Sequence, residues 1–323
     1  MTPVELVPGI HRIRLPLPFE LNHINLHLVR LADGYLLIDC GLNSPESFQA
    51  LRDSLDALGV SWQSIRQILL THMHPDHSGL ASKLLELTGA RLLMHRVEVR
   101  LLAEAADDAR RLRWLDQVMR DAGVPAALTQ KVDRAFGGAA QSFRKLEPDW
   151  VLEGGETVPT AAGSLKVLWT PGHSPGHVCL YARRERFLIA GDLILDGITP
   201  NIGWLPERDA LADYLASLDA MERLEVGIVL PSHGDPLNDH RAWIRATRRH
   251  HDERCRLILE AVAASPRTAH EVVGELWKTP LAPFHHRFAI WEVLAHLQYL
   301  ANRNRLAVER RNGAFHWRAA SAG

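Results

Sequence analysis

The stretch Thr71-His72-Met73-His74-Pro75-Asp76-His77 constrains this chain more than any other, because it sets three imidazoles and a carboxylate directly after a buried run. That run, Ile68-Leu69-Leu70, reads as the end of an apolar strand. On extended backbone alternate residues share a face, so His72 and His74 can converge on one metal ion. Pro75 suits the first turn of a helix, where its missing N–H costs nothing. That turn would carry Asp76 and His77 toward a second ion. A histidine-rich surface loop would not combine these ligand types with a strand-to-helix setting, so the segment is read as a metal site.

At 323 residues the chain has room for one large domain and a small one. No apolar run approaches the roughly 18 residues that span a bilayer, and the first residues lack the basic start and apolar block of a signal peptide. Cys40, Cys179 and Cys255 form an odd, widely spaced set, which argues against a disulfide framework and for a reducing, cytoplasmic setting. The net charge of −1 hides an asymmetry, since from Arg241 onward there are 14 Lys+Arg against 7 Asp+Glu. A basic tail could meet nucleic acid or dock on the acidic remainder, and the second reading is favoured.

Strands are expected at Ile10–Leu15, Asn25–Leu31 and Tyr35–Asp39, with an Asp33-Gly34 turn between the last two. A helix over Pro45–Leu58, the strand Arg66–Leu70, a helix over His77–Leu87 and the strand Arg91–His95 follow, an alternation that implies layered α/β structure. Residues 96–147 interrupt it as an all-helical insertion, broken at Gly123-Val124-Pro125 and at Gly137-Gly138, read either as a roof over the site or as packing. Strands resume at Val151, Leu165–Trp169, Val178–Ala182 and Phe187–Ala190. A helix over Glu207–Arg223 and the strand Gly227–Leu230 complete the pattern. Beyond Arg241, helices over Ala242–Ala263, Thr268–Trp277 and Arg287–Asn302 precede a hairpin of Leu306–Glu309 and Ala314–Trp317, the order of a winged helix. The domains are therefore set at 1–240 and 241–323.

Further ligands should sit at strand ends, and three do. His173 follows Leu165–Trp169 in Pro171-Gly172-His173, Asp192 follows Phe187–Ala190 in Gly191-Asp192, and His233 follows Gly227–Leu230 in Ser232-His233-Gly234. The neighbouring glycines let the backbone turn sharply beside an ion.

The order His-x-His-x-Asp-His, Pro-Gly-His, Gly-Asp and His-Gly, preceded by Leu37-Ile38-Asp39-Cys40-Gly41, closely resembles the metallo-β-lactamase-fold superfamily over roughly residues 1–240. The resemblance implies a four-layer αββα sandwich with metals at one edge. It also implies one ion held by His72, His74 and His173, another by Asp76, His77 and His233, and Asp192 bridging both. β-Lactam-destroying members commonly place cysteine or serine where Asp192 stands, so the aspartate looks like the glyoxalase II, lactonase and nuclease branches. The implied cofactors are two divalent metal ions, zinc first, with iron or manganese also compatible with these donors. Asp39 is expected to accept a ring N–H from a ligand histidine, and His177 to cap a turn or buttress His173. His250, His251, His285 and His286 are read as surface or domain-contact residues, and His23, Asn25 and Trp204 as bordering the site. Cys40 is read as a small buried residue, not a nucleophile, since no base is implied nearby.

Two cations sharing a water bring hydroxide within reach at neutral pH and polarise a carbonyl or phosphoryl oxygen. The expected function is a dinuclear metal-dependent hydrolase, in which bridging hydroxide attacks a small thioester, ester or lactone carbonyl. Asp76 would orient the nucleophile and Asp192 hold the ions. No general acid stands out, which points to a good leaving group. The alternative is an endoribonuclease or phosphodiesterase, since Thr268–Trp317 resembles the winged-helix appendage of the β-lactamase-like protein 2 group. The expected partner is a small-molecule acyl substrate, with nucleic acid second and no membrane; the sequence leaves oligomeric state open, a homodimer included. A cavity roofed by residues 96–147 would favour small acyl substrates, and an open groove reaching Arg303, Arg305, Arg310 and Arg311 would favour RNA.

Overall fold

The computed structural model describes residues 2–140, 144–161 and 163–320. Its first sheet runs in chain order. Strands β1 (Val4–Val7), β2 (Ile10–Pro16), β3 (His23–Arg30) and β4 (Tyr35–Ile38) form an antiparallel meander, and β5 (Ile65–Leu70), β6 (Arg91–His95) and β7 (Trp150–Leu152) continue it in parallel. Antiparallel neighbours need only turns, as where Leu31 N–H donates to Gly34 O (2.8 Å). Parallel neighbours need crossovers. These are α1 (Pro45–Ala57), then α2 (Pro75–Ser78) with α3 (Ala81–Thr88), then the insertion α4 (Arg96–Ala105), α5 (Asp108–Asp121) and α6 (Ala126–Ala140).

The second sheet holds β8 (Thr157–Thr160), β9 (Gly163–Trp169), β10 (Val178–Ala182), β11 (Phe187–Gly191) and β12 (Ile228–Pro231), in reverse spatial order. It is antiparallel except between β11 and β12, which α7 (Ala210–Glu222) links. The two sheets face each other, and the period-2 alternation of strands sorts the side chains. Leu36, Ile38 and Leu69 point between the sheets to meet Val167, Leu180 and Ile189. Leu37, Ile68 and Leu70 point outward against Leu51 and Leu55 of α1 and Leu84 of α3. On the far side Leu188 and Val229 pack on Leu211, Tyr214 and Leu218 of α7. The result is a four-layer αββα sandwich.

The chain closes with α8 (His240–Ala261), α9 (Ala269–Leu276), α10 (Pro283–Ala301) and the hairpin β13 (Leu306–Arg311) and β14 (Ala314–Ala319). Thr268 starts α9 with a capping box, its hydroxyl accepting from Glu271 N–H while Glu271 answers at Thr268 N–H. Helix α10 is buried without a break from Ala289 to Leu297, so all of its faces are covered there, those of Glu292 and His296 included. Its core is shared with the insertion: Val118, Met119 and Val132 lie in one cluster with Ile258, Val272 and Leu297. No helix among the described residues is long and apolar enough to cross a membrane.

Several boundaries differ from expectation for identifiable reasons. The helix expected over His77–Leu87 is two pieces, because Leu80 N–H donates to Gly41 O (3.1 Å) in place of a carbonyl one turn back. Helix α6 runs through Gly137-Gly138 without breaking. Strands β1 and β8 add to the expected set; each is short, at a sheet edge and weakly apolar. Helix α10 begins at Pro283, not Arg287, since proline is preorganised for the first helical position, and this adds Phe284, His285 and His286 to the helix. We expect Leu297→Ala, at a fully buried position, to lower unfolding free energy by about 2–5 kcal/mol in chemical denaturation. Hydrogen exchange should speed up in α5 and α6 as well as in α8 to α10; faster exchange in the C-terminal helices alone would contradict a shared core.

Candidate metal centre

The ends of four strands deliver the polar side chains to one edge of the sandwich. His72 follows β5 directly, and His74, Asp76 and His77 ride the proline-started turn of α2. His173 follows β9, Asp192 follows β11 and His233 follows β12. Behind them Asp39, just past β4, accepts from Thr71 N–H (2.8 Å), from Thr71 Oγ1 (3.0 Å) and from His77 Nδ1–H (2.9 Å). Asp39 has a positive φ of 63°, a backbone state that aspartate tolerates better than most residues.

Those bonds settle the ring protons. Thr71 gives its one hydroxyl proton to Asp39, so its oxygen accepts from His72 Nδ1–H (3.0 Å). His173 Nδ1–H donates to Asn201 O (2.7 Å), and His233 Nδ1–H to His23 O (2.7 Å). With Nδ1 protonated, each ring presents a bare Nε2 lone pair to the centre.

Two groups of donors result. His74 Nδ1 lies 2.9 Å from His72 Nε2 and 3.0 Å from His173 Nε2. A single proton on His74 cannot satisfy both neighbours, whereas a cation can. In the second group, His233 Nε2 is 3.4 Å and His77 Nε2 3.7 Å from Asp76 Oδ2. Asp192 spans the two: Oδ2 is 3.4 Å from His173 Nε2, while Oδ1 is 3.4 Å from His77 Nε2 and 3.5 Å from His233 Nε2. Donors that share a divalent transition ion at about 2.0–2.2 Å under a tetrahedral angle sit roughly 3.4 Å apart.

The donor atoms fit an ion in a second way. Among the described residues His77 Nε2, His233 Nε2 and Asp192 Oδ1 are buried without a hydrogen-bond partner, which is costly unless something coordinates them. Burial and then the surrounding imidazoles push His72 well below its ordinary pKa, and burial with His173 takes His74 to about 3, so both rings are neutral as ligands must be. Burial works against the charged forms of Asp76 and His77 as well. His77 and His233 outweigh it at Asp76 and hold that carboxyl at about 2, while Asp192, Asp39 and Asp76 hold His77 well above the usual imidazole range. Three carboxylates thus call for positive charge at this point, which a cation supplies.

His177 does not join either group. Its Nε2 accepts from Asp192 N–H (3.0 Å) and its Nδ1–H donates to Thr170 Oγ1 (2.8 Å), so it fixes the backbone of Asp192, while its ring stands edge-on to that of His173 with centroids 6.3 Å apart. Gly191 makes the approach possible: its φ is 52°, and a side chain there would collide with the His177 ring. Cys40 is buried, and burial followed by the charge of Asp39 pushes its thiol well up, the opposite of a nucleophile. Asn25 is buried and donates to Pro231 O (3.1 Å) and Gly234 O (2.8 Å), clamping the His233 loop. Trp204, expected at the site border, instead packs into the apolar clusters under α10.

Sequence reasoning passes over Glu98. This buried carboxylate accepts from Met73 N–H (2.8 Å), Gly176 N–H (2.6 Å) and Ser174 Oγ (2.5 Å), tying the first histidine loop to the loop of His173. An acid one turn before Leu102 on the buried face of α4 is the available signal.

The centre opens on a cavity of about 430 Å³, whose walls include His74, Asp76, His173, Asp192 and His233. Among the described residues of the insertion Arg111 lines the cavity, and the start of α10 adds Phe284, His285, Arg287, Phe288 and Trp291. His285 therefore faces the cavity and is not merely a surface residue. His286 instead meets His270 (3.2 Å), and His251 meets His296 (3.1 Å), both away from the cavity walls. None of Arg303, Arg305, Arg310 and Arg311 lines the cavity, and Arg303 pairs with Asp209, Arg310 with Asp121 and Arg311 with Glu309.

Residues 20–233 match the model of the metallo-beta-lactamase superfamily, and residues 255–320 that of a metallo-beta-lactamase-like C-terminal domain. Among curated proteins, a probable metallo-hydrolase of Bacillus subtilis, YqjP, is 28% identical over 82% of this chain and 84% of its own length. The acyl-coenzyme A thioesterase MBLAC2 of Bos taurus is 30% identical over 66% of this chain and 73% of its own. The crystal structure of a metallo-beta-lactamase family protein from Thermus thermophilus superposes with a TM-score of 0.84 at 30% identity, covering 98% of this chain and all of that one.

Asp39→Asn keeps a residue that tolerates positive φ but replaces the carboxylate. We expect it to weaken metal retention by about 10–100-fold in competition with a chelator, with His286→Ala unchanged; equal retention in Asp39→Asn would remove Asp39 from the centre.

Proposed function

Because the chain belongs to the metallo-β-lactamase superfamily, we propose that it is a dinuclear metal-dependent hydrolase of small acyl thioesters, close in type to the aspartate-bearing glyoxalase II branch. The observation that carries the reading is the division of Asp192, whose two carboxylate oxygens serve two separate donor groups at the wall of one cavity. His72, His74 and His173 would hold one ion and Asp76, His77 and His233 the other, with Asp192 between; zinc suits these imidazole and carboxylate donors best. Divalent ions there supply Lewis acidity that activates water and polarises an acyl carbonyl.

The chain's own residues do the rest. Asp192 would offset the charge of the ions that the two groups hold, and its backbone is pinned by His177. Asp76 faces the cavity as an ionised carboxylate and orients the attacking water. Leu17, Phe19, Leu195, Ile198, Phe284 and Phe288 give the cavity apolar walls that seat an acyl chain and exclude bulk water. A thiol with a pKa near about 8.5 leaves without a proton donor, which favours thioesters over substrates with poor leaving groups. MBLAC2, a thioesterase by name, supports the same substrate class.

We read residues 1–240 as the catalytic unit and the three helices and hairpin beyond as a winged-helix-like unit that closes the cavity. The pairing of Arg303, Arg310 and Arg311 with acids speaks against an RNA-cleaving role for that unit. The three cysteines are all unpaired, as suits a reducing, cytoplasmic setting. The test is a panel of acyl thioesters, lactones, phosphodiesters and single-stranded RNA given to metal-loaded protein. Thiol release from thioesters is expected, with two metal equivalents bound. His74→Ala and Asp192→Ala should lose metal and turnover together, and cleavage of RNA without any thioester or lactone would overturn the reading.

A further inference from the structure

Two arginines line the same cavity from elements far apart in sequence, Arg111 on α5 and Arg287 on α10. Two guanidiniums at a largely apolar wall repel each other, and an anion that meets both relieves that repulsion. Burial, and then the neighbouring Arg111 guanidinium, draw Arg287 down to about 10 against the opposing pull of Asp133, so it remains a cation at neutral pH. It lies over the Trp291 ring, 5.0 Å from the centroid, which fixes its plane. Arg111 donates through Nη2 to Asp108 Oδ1 (2.8 Å), yet its Nε–H is buried without an acceptor among the described residues.

Asp133 is an acidic neighbour of both arginines, and Asp108 pairs with Arg111. Asp108 and Asp133 do not line the cavity. Asp108 is 76% exposed, so solvent screens it. Outside the donor cluster and His285, the charged side chains on the cavity walls are Arg111, Arg287 and Glu20, and Glu20 is 86% exposed at the rim. On the cavity side the wall therefore presents two guanidiniums, with Asp108 and Asp133 off the wall beside them and the Arg111 Nε–H short of an acceptor among the described residues.

We propose that Arg111 and Arg287 form an anion-recognition site, selecting thioesters that carry a carboxylate or phosphate in addition to their apolar acyl segment. This rests on the thioesterase reading for the identity of the substrate, though not for the anion site itself. A guanidinium pair offers planar N–H donors that match either oxyanion. The anion could belong to the acyl chain, as an ω-carboxylate, or to the leaving group, as the phosphates of coenzyme A.

Non-hydrolysable thioethers separate these sources and do not depend on turnover. Calorimetry on the metal-loaded full chain would compare three ligands of equal alkyl length: S-alkyl-N-acetylcysteamine, its ω-carboxyalkyl counterpart and S-alkyl-coenzyme A. One of the two anionic ligands should bind at least ~10-fold more tightly than the neutral one, in keeping with a charge-assisted hydrogen bond. The one that does identifies the source. Arg111→Met and Arg287→Met should erase that advantage, and the Lys versions should restore part of it in protein whose melting temperature matches the parent. Equal binding of all three, or an advantage that survives both Met variants, overturns the inference. Anion-selective binding without hydrolysis of any thioester would keep the anion site and sink the thioesterase reading instead.

Discussion

Asp39 receives three hydrogen bonds at the mouth of the first sheet, and the geometry of the centre descends from them. By taking the Thr71 hydroxyl proton it leaves that oxygen free to accept from His72, and it takes the His77 ring proton directly. Asn201 O and His23 O do the same for His173 and His233. Imidazole has two nitrogens, so fixing the proton on the outer one exposes the lone pair of the inner one. Four rings from distant segments are thereby aimed at a common interior before any ion arrives. Such preorganisation limits the ordering that binding would otherwise require.

The same logic explains the buried acids. A carboxylate far from water is costly unless each oxygen finds donors. Glu98 finds three, all in the loops that carry ligands, and so works as a strut between them. Asp192 Oδ1 has no hydrogen-bond donor among the described residues. The contrast separates an acid whose oxygens are engaged in bracing loops from one that could hold a cation, although both are buried.

The C-terminal helices belong to this site physically as well as in sequence order. Helix α10 packs along the insertion and α8, and its first turns cover the cavity. Of the two roles open to residues 96–147, roof and packing, the described residues show the packing, since they share a core with α10, and among them Arg111 reaches the cavity. The start of α10 is hidden in the sequence, because Pro283 and the apolar residues after it read as loop without their neighbours.

Much of the fold is legible because strand and helix periods are local properties. Ile68-Leu69-Leu70, the alternation of Leu36, Leu37 and Ile38, and the glycines beside His173, Asp192 and His233 each announce a strand and its end. The seven candidate donors can be named because side-chain type and position at strand ends are written in the chain, and tertiary structure brings all seven together. Contacts between segments are not legible. Nothing near Glu98 says that Ser174 will meet it, and nothing near Arg111 says that Arg287 will, because those partners are set by how layers and helices pack over long sequence separations. The amino-acid order by itself determined which groups stand at the strand ends; only the folded chain decided which nitrogen each ring offers, what covers the cavity and where two cations face it. Hydrogen-bond acceptors and apolar walls come from whichever segments the sandwich brings alongside.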